Sequence, residues 1–344
     1  MTKHAYLALA VMGGVALSPA HAAQDIIPRC VAMELVTASW CGYCPQADAA
    51  AEQLRVEEGR AGTIFIEYHM SDALSNADGD ARRSYYGNPG TPTMIFGGIT
   101  KVIGAGGPMY NTYRQRFNGR RNYDPMVDIR LTGDMTGNNT WTVQGSVEVI
   151  EQLWQQGTPE LRIALTENDL TAGSRHYNGV LRDHVANIDL NGKNVGSMTY
   201  FSQSISINGA WKKDDLNVVV YVQEPEYKEI LGAKRLSEVP MDVDGDSFTV
   251  SRGDMLSVPI DMRNISRNDQ DLEIWMIAYR NGTQIGPNPI FQDSYSIMSG
   301  DVDTYTMNFP IPMAAPTGTY SVAAWIGTSL DDTLEWDRYE VTIQ

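Results

Sequence analysis

The chain has 344 residues and a formal net charge of −16, with 42 acidic side chains against 26 basic ones. That balance excludes a nucleic-acid partner, whose phosphates require a basic surface, and gives little affinity for anionic membranes. Its three cysteines are too few for a disulfide-stapled scaffold, and its length is too great for one ordinary core, so two or three domains are expected.

The first residues, Met-Thr-Lys-His, lead into an apolar run over 5–17 and then Ser-Pro-Ala-His-Ala-Ala. A short basic start, an apolar segment and a small-x-small site describe a secretory signal peptide over 1–22, cut after Ala22. The run is shorter than the ~20 residues of a membrane span, and no later segment is long and apolar enough to be one. No cysteine follows the cut to carry a lipid, since Cys30 stands in Ile-Pro-Arg-Cys. The expectation is an exported protein of the periplasm, the cell envelope or the medium.

From Arg29 the pattern alternates strand and helix. The near-continuous apolar run over 30–37 reads as a strand covered on both faces. Residues 45–58 are alanine-rich helix formers closed by Gly59. A second strand is expected over 63–69, a helix over 78–86, strands over 93–96 and 101–104, and a last helix over 109–118. This order predicts a three-layer α/β domain over 23–126. Beyond Asp124-Pro125 helical periodicity fades. Strands are expected over 127–133, 140–150, 160–167, 199–207 and 217–223, with 178–186 either a short helix or a crossing strand, as a β-sandwich over 127–238. About seven more strands, from 247–250 to 339–343, predict an immunoglobulin-like β-sandwich over 239–344.

The chemistry concentrates at Trp40-Cys41-Gly-Tyr-Cys44-Pro45. A thiolate is the attacking species in disulfide exchange. If the helix begins near Cys41, its free amides and dipole favour negative charge on that sulfur. The spacing puts Cys44 on the same first turn, near enough to close a disulfide, and Pro45 is tolerated there because those amides lack helical partners. Cys41 would then attack and Cys44 resolve. A structural clip fits the same spacing. Zinc does not, because a structural site takes about four Cys or His ligands and His69, His176 and His184 show no ligand spacing. No metal and no cofactor are expected. Cys30 reads as a small apolar filler, with a third redox thiol as the alternative.

About 50 residues on stands Gly90-Thr91-Pro92-Thr93, a proline at the entrance to a strand. A strand, CxxC and helix followed by Thr-Pro-Thr and a strand ("WCGYC", then "GTPTMIFGG") resembles the thioredoxin superfamily over 29–122, and periplasmic disulfide isomerases most of all. The resemblance implies that Pro92 is cis and that Thr91, Pro92 and Trp40 bind an extended substrate segment by strand addition. It also implies protein thiols and disulfides as substrates and a redox partner protein. Members of that superfamily carry a buried acid six residues before the first cysteine. Leu35 stands there, with Glu34 one place earlier on the opposite strand face, so any proton relay falls to Glu34; the alternative is a partly exposed strand carboxylate.

Over 29–236 the chain is also similar to the 28-kilodalton outer-membrane-protein family of bacteria, through "IALTEND" (163–169), "YNGVLRD" (177–183) and "LNVVVYVQ" (216–223). That similarity implies export and a β-rich architecture rather than a substrate. Arg252-Gly253-Asp254 and the aspartate-rich stretch over 241–248 read as turns, the latter lacking the acidic residue that completes a calcium loop.

Two functions follow. The first is an exported thiol–disulfide oxidoreductase with Cys41 as nucleophile and Cys44 as resolving thiol. The second is an envelope or secreted binding protein, on a thioredoxin-like scaffold, in which Cys41–Cys44 is a static disulfide. In either case the β-domains would dock partners.

Overall fold

The computed structural model describes residues 29–154 and 156–344. The signal-peptide segment, 1–22, lies outside the described residues. The first third forms β1 (Val31–Thr37), α1 (Cys44–Gly62), β2 (Thr63–His69), α2 (Ala77–Tyr85), β3 (Thr93–Phe96), β4 (Thr100–Ile103) and α3 (Tyr110–Arg121). The next segment forms β5 (Val127–Asp134), β6 (Thr140–Val149), β7 (Glu160–Glu167), the short hairpin β8 (Leu170–Ala172) and β9 (Arg175–Tyr177), β10 (Val180–Asp189), β11 (Met198–Ser206), β12 (Leu216–Gln223) and β13 (Ile230–Arg235). The last forms β14 (Met241–Val243), β15 (Ser247–Val250), β16 (Met255–Arg263), β17 (Gln270–Arg280), β18 (Thr283–Ile285), β19 (Phe291–Ile297), β20 (Val302–Pro310), β21 (Gly318–Ser329) and β22 (Asp332–Ile343).

The assembly corrects the expected fold class. The described chain is mostly β-strand with three helices, and no thioredoxin-like α/β domain stands apart at its N-terminal end. Instead β1 to β4 continue a single eight-stranded sheet of order β13-β12-β7-β10-β2-β1-β3-β4. The junction is narrow: β10 runs parallel to β2 through the pair Val180 and Glu67, and the Glu67 amide donates to the Gly179 carbonyl at 2.8 Å. Gly179 has a φ of +69°, and a Cβ there would stand 2.5 Å from the Phe65 carbonyl oxygen, so the approach requires glycine. The physical reason for the correction lies in the strands themselves. β1, β2, β7 and β12 are almost wholly buried on both faces. Such strands require cover on each side, but their composition does not specify which neighbours supply it.

Two cores flank this sheet. Ala32, Val36, Ile64 and Tyr68 pack with Ala164, Leu181, Val219 and Tyr221, joining residues from both segments. On the side of α1 and α3, Val31, Met33 and Leu35 meet Ala47, Leu54, Tyr113 and Phe117. The β5-β6-β11 sheet closes over the far end of the large sheet, with Trp141, Val143 and Phe201 against Ile163, Val218 and Val220. The middle segment therefore borrows one of its layers from the shared sheet.

The C-terminal segment is a two-sheet β-sandwich, β14-β16-β20 against β15-β22-β21-β17-β18 with β19 beside β17. It docks on α1 and β13, where Arg60 of α1 meets Asp332 at 2.8 Å and Lys234 of β13 meets the buried Glu335 at 2.8 Å. Among the described residues no helix is long and apolar enough to cross a membrane.

Candidate functional site

β1 ends at Thr37, and a tight loop delivers the cysteines to the start of α1. The Cys41 amide closes a turn on the Ala38 carbonyl at 3.2 Å. The helix itself begins at Cys44, one residue before the expected 45–58, so Cys41 precedes its first turn, with Tyr43 as an N-cap that offers no side-chain hydrogen bond. Cys41 and Cys44 are joined as a disulfide with their Cα atoms 5.4 Å apart. In place of a side-chain cap, the Cys44 amide points at Cys41 Sγ at 3.1 Å, so an otherwise orphan helix donor is aimed at sulfur.

Both sulfurs are enclosed. Cys44 is fully buried and Cys41 is 5% exposed, packed with Ala38 and Met70. Thr91 covers them: its Oγ1 is 3.0 Å from Cys44 Sγ and donates to the Val36 carbonyl at 3.1 Å, and its own carbonyl oxygen is 3.9 Å from Cys41 Sγ. The Thr91–Pro92 peptide is cis, and Pro92 is buried. Trp40 and Tyr43, by contrast, are 58% and 67% exposed, the Trp40 ring N–H donating to the Met70 carbonyl at 3.0 Å. Cys41, Cys44, Trp40, Thr91 and Pro92 thus come together at one end of the sheet.

Glu34 does not join them. Its buried carboxylate accepts from Arg82 Nε at 2.8 Å, Tyr68 Oη at 2.7 Å and Tyr86 Oη at 2.5 Å, on the sheet face opposite α1. Arg82 is itself stacked on Tyr85 and Tyr86. The buried acid is fully paired in this network, while Arg82 Nη1 completes no hydrogen bond. Cys30 is equally remote from chemistry, since burial pushes its thiol up to about 12.

The ionisable groups beside the cysteines are ones the sequence did not single out. Asp48, one helical turn after Cys44, accepts from Thr37 Oγ1 at 3.0 Å, and burial raises its carboxyl to about 6. Glu67 is 3% exposed, and burial raises it to about 7. His69 stands between two carboxylates, Nδ1 at 2.8 Å from Asp72 and Nε2 at 3.5 Å from Glu67. Burial opposes its protonation, but these neighbours outweigh burial and raise its pKa. Asp72 in turn accepts the Ser39 and Leu74 amides at 2.7 and 2.9 Å; burial opposes its charge, and His69 with these amides holds it below the usual range. From the β8–β9 hairpin, Arg175 donates to the Cys41 carbonyl at 3.0 Å. The spacing of Cys44 and Asp48 could have flagged Asp48, as i and i+4 share a helix face. Nothing local connects Arg175 to a loop more than a hundred residues earlier.

No protein-family model matches the chain, and no curated protein matches it. Among solved structures the chain is similar to HBP35 of Porphyromonas gingivalis, with 14% identity and a TM-score of 0.50, over 92% of this chain and 99% of that one. The shared feature is the overall fold. A domain of the outer membrane lipoprotein Omp28 from the same organism overlaps 33% of this chain and 87% of its own, with 12% identity and a TM-score of 0.24. A β-glucosidase from Listeria innocua overlaps 34% of this chain and 18% of its own, with 17% identity and a TM-score of 0.25.

Proposed function

We propose that the protein is an exported binding protein of the cell envelope or medium, in which Cys41–Cys44 is a fixed clip at the start of α1. The observation that carries this reading is the enclosure of both sulfurs beneath Thr91. The leader over 1–22 and the similarity of its strands to outer-membrane proteins support export. The β-rich remainder of the chain would dock the partner.

A second reading is thiol–disulfide exchange, favoured by the Cys44 amide aimed at Cys41 Sγ. In the reduced protein that amide and the α1 dipole would stabilise a Cys41 thiolate. The thiolate would attack one sulfur of a substrate disulfide and expel the other as a thiolate. Cys44, deprotonated, would then attack Cys41 Sγ, releasing the substrate dithiol and closing Cys41–Cys44, so that two electrons pass to the substrate. Trp40, Thr91 and Pro92 would line the substrate segment, and a redox partner protein would return the electrons.

Trapping separates the two. With Cys44→Ala the clip reading expects no mixed disulfides with other exported proteins above the level of a Cys41→Ser/Cys44→Ala control. Accumulation of adducts linked through Cys41 would establish exchange instead.

A further inference from the structure

We propose that the cleft between α1, β2 and the β8–β9 hairpin binds the cationic side chain of a lysine or arginine in a partner polypeptide. The inference deepens the binding-protein reading, on which it rests, by naming what is bound beside the disulfide.

The cleft has a volume of about 320 Å³ and is lined by Pro45, Asp48, Glu52, Phe65, Glu67 and Tyr177 among others. That is the lower end of the size range of small-ligand sites and suits one long side chain. Pro45, which lines the cleft, follows Cys44 directly in the chain.

Two nearly inaccessible polar groups face this space unsatisfied. Glu67, 3% exposed, has an Oε2 that completes no hydrogen bond; the nearest positive group is His69 Nε2 at 3.5 Å, which completes none either. The hydroxyl of Tyr177, 2% exposed, completes no well-formed hydrogen bond either, with the Arg175 guanidinium as its charged neighbour. Buried polar groups in native proteins are nearly always paired, and an orphan asks for a missing partner.

The surrounding charges favour a cation as that partner. From α1, Asp48 has only the Thr37 hydroxyl, at 3.0 Å, while Glu52 is held by Arg55 at 2.6 Å. From β2 and the loop after it, His69 is shared between Glu67 and Asp72. From the hairpin come Arg175 and the exposed His176. Arg175 spends its guanidinium on the carbonyls of Cys41 at 3.0 Å and Ala38 at 3.5 Å. Arg175 and His69 are the positive charges that act on Asp48, and Asp48, Glu67 and Asp72 share those two, which leaves one carboxylate in excess. Among the described residues no group of three or more His, Cys, Asp or Glu is placed to hold a metal ion, which points to an organic cation. The Phe65 and Tyr177 rings supply apolar wall for its methylene stem. Burial holds the Asp48 and Glu67 carboxyls near 6 and 7; an entering cation favours their charged forms, so binding releases protons.

The test uses the oxidised full chain and blocked Gly-Lys-Gly, Gly-Arg-Gly, Gly-norleucine-Gly and Gly-Glu-Gly peptides, titrated calorimetrically near pH 7 in buffers of different ionisation enthalpy. The lysine and arginine peptides are expected to bind with proton release, and the norleucine and glutamate peptides not to bind. Glu67→Gln should weaken lysine binding at least tenfold, and Asp48→Asn should weaken it to a smaller extent if Glu67→Gln does not fold. Equal binding of lysine and norleucine, binding of neither, or lysine affinity unchanged in the folded variants would overturn the proposal. The peptides carry no sulfur. Turnover of a disulfide substrate would therefore remove the clip reading and leave the cleft standing, while loss of lysine discrimination would remove the cleft and leave the clip.

Discussion

The C-terminal sandwich and the cysteine-bearing end of the large sheet use burial in opposite ways. The layer between the sandwich's sheets is built from apolar residues, from Val258 and Ile260 through Ile274 to Val322 and Val341, with its buried Glu335 paired to Lys234, and β16 alternates exposed and buried residues along its length. One face is dry and the other wet, so alternation alone specifies it. At the other end, strands covered on both faces enclose Glu34, Arg82, Glu67 and His69. A buried charge persists only where partners replace its water, and each of these depends on a particular neighbour. The contrast teaches where the molecule is sensitive: the sandwich to lost volume, the cysteine end to lost partners and to pH.

The largest effect should come from breaking the Glu34 network. Arg82→Ala leaves the carboxylate buried with only the Tyr68 and Tyr86 hydroxyls, and should cost about 3–5 kcal/mol in urea unfolding. In the sandwich, Ile274→Ala should cost about 3 kcal/mol through the cavity it leaves, with the same loss at pH 5 and pH 8. A strongly pH-dependent loss there would erase the distinction between the two regions.

The third prediction concerns pH. Asp48 and Glu67 titrate near 6 and 7 when folded but near 4 when unfolded. Above about pH 4 the folded state therefore retains protons that the unfolded state has released. Their contribution is fully present below that pH and lost as pH rises through about 7. Asp48→Asn should remove part of this slope and stabilise the protein by roughly 2 kcal/mol at pH 8, read from urea midpoints across the range. An unchanged slope would show that Asp48 is not held in its protonated form. The smallest effect is expected at the seam between the regions. Arg60→Gln should cost only about 0.5 kcal/mol, because the Arg60–Asp332 pair is about one-third exposed.

Most elements were legible in the sequence, and their assembly was not. The strand over 63–69 is β2 without change, 160–167 is β7, and 247–250 is β15. Gly59, expected to close the first helix, has a φ of +66° and marks a kink there, packed against Thr333. The ambiguous stretch over 178–186 proved to be β10, the strand that joins the two segments. Its alternation is broken by register shifts between Leu181 and Asp183 and between His184 and Ala186. The pairing of β2 with β10 could not be read, since a strand buried on both faces records burial and not the identity of its neighbour. The cysteine pair, Thr91 and Trp40 stood out by spacing and residue type. The pairing of His69 with Glu67 and Asp72 and the reach of Arg175 are contacts made through space, so the cleft they border had no local signature.

On the reading proposed above, Cys41–Cys44 is a clip and not a working redox couple. Equilibrating the folded protein in defined dithiothreitol buffers and counting free thiols gives its reduction potential directly. The clip reading predicts a value below about −300 mV, in the range of structural disulfides; a value of about −270 mV or higher, in the range of exchange catalysts, would contradict it.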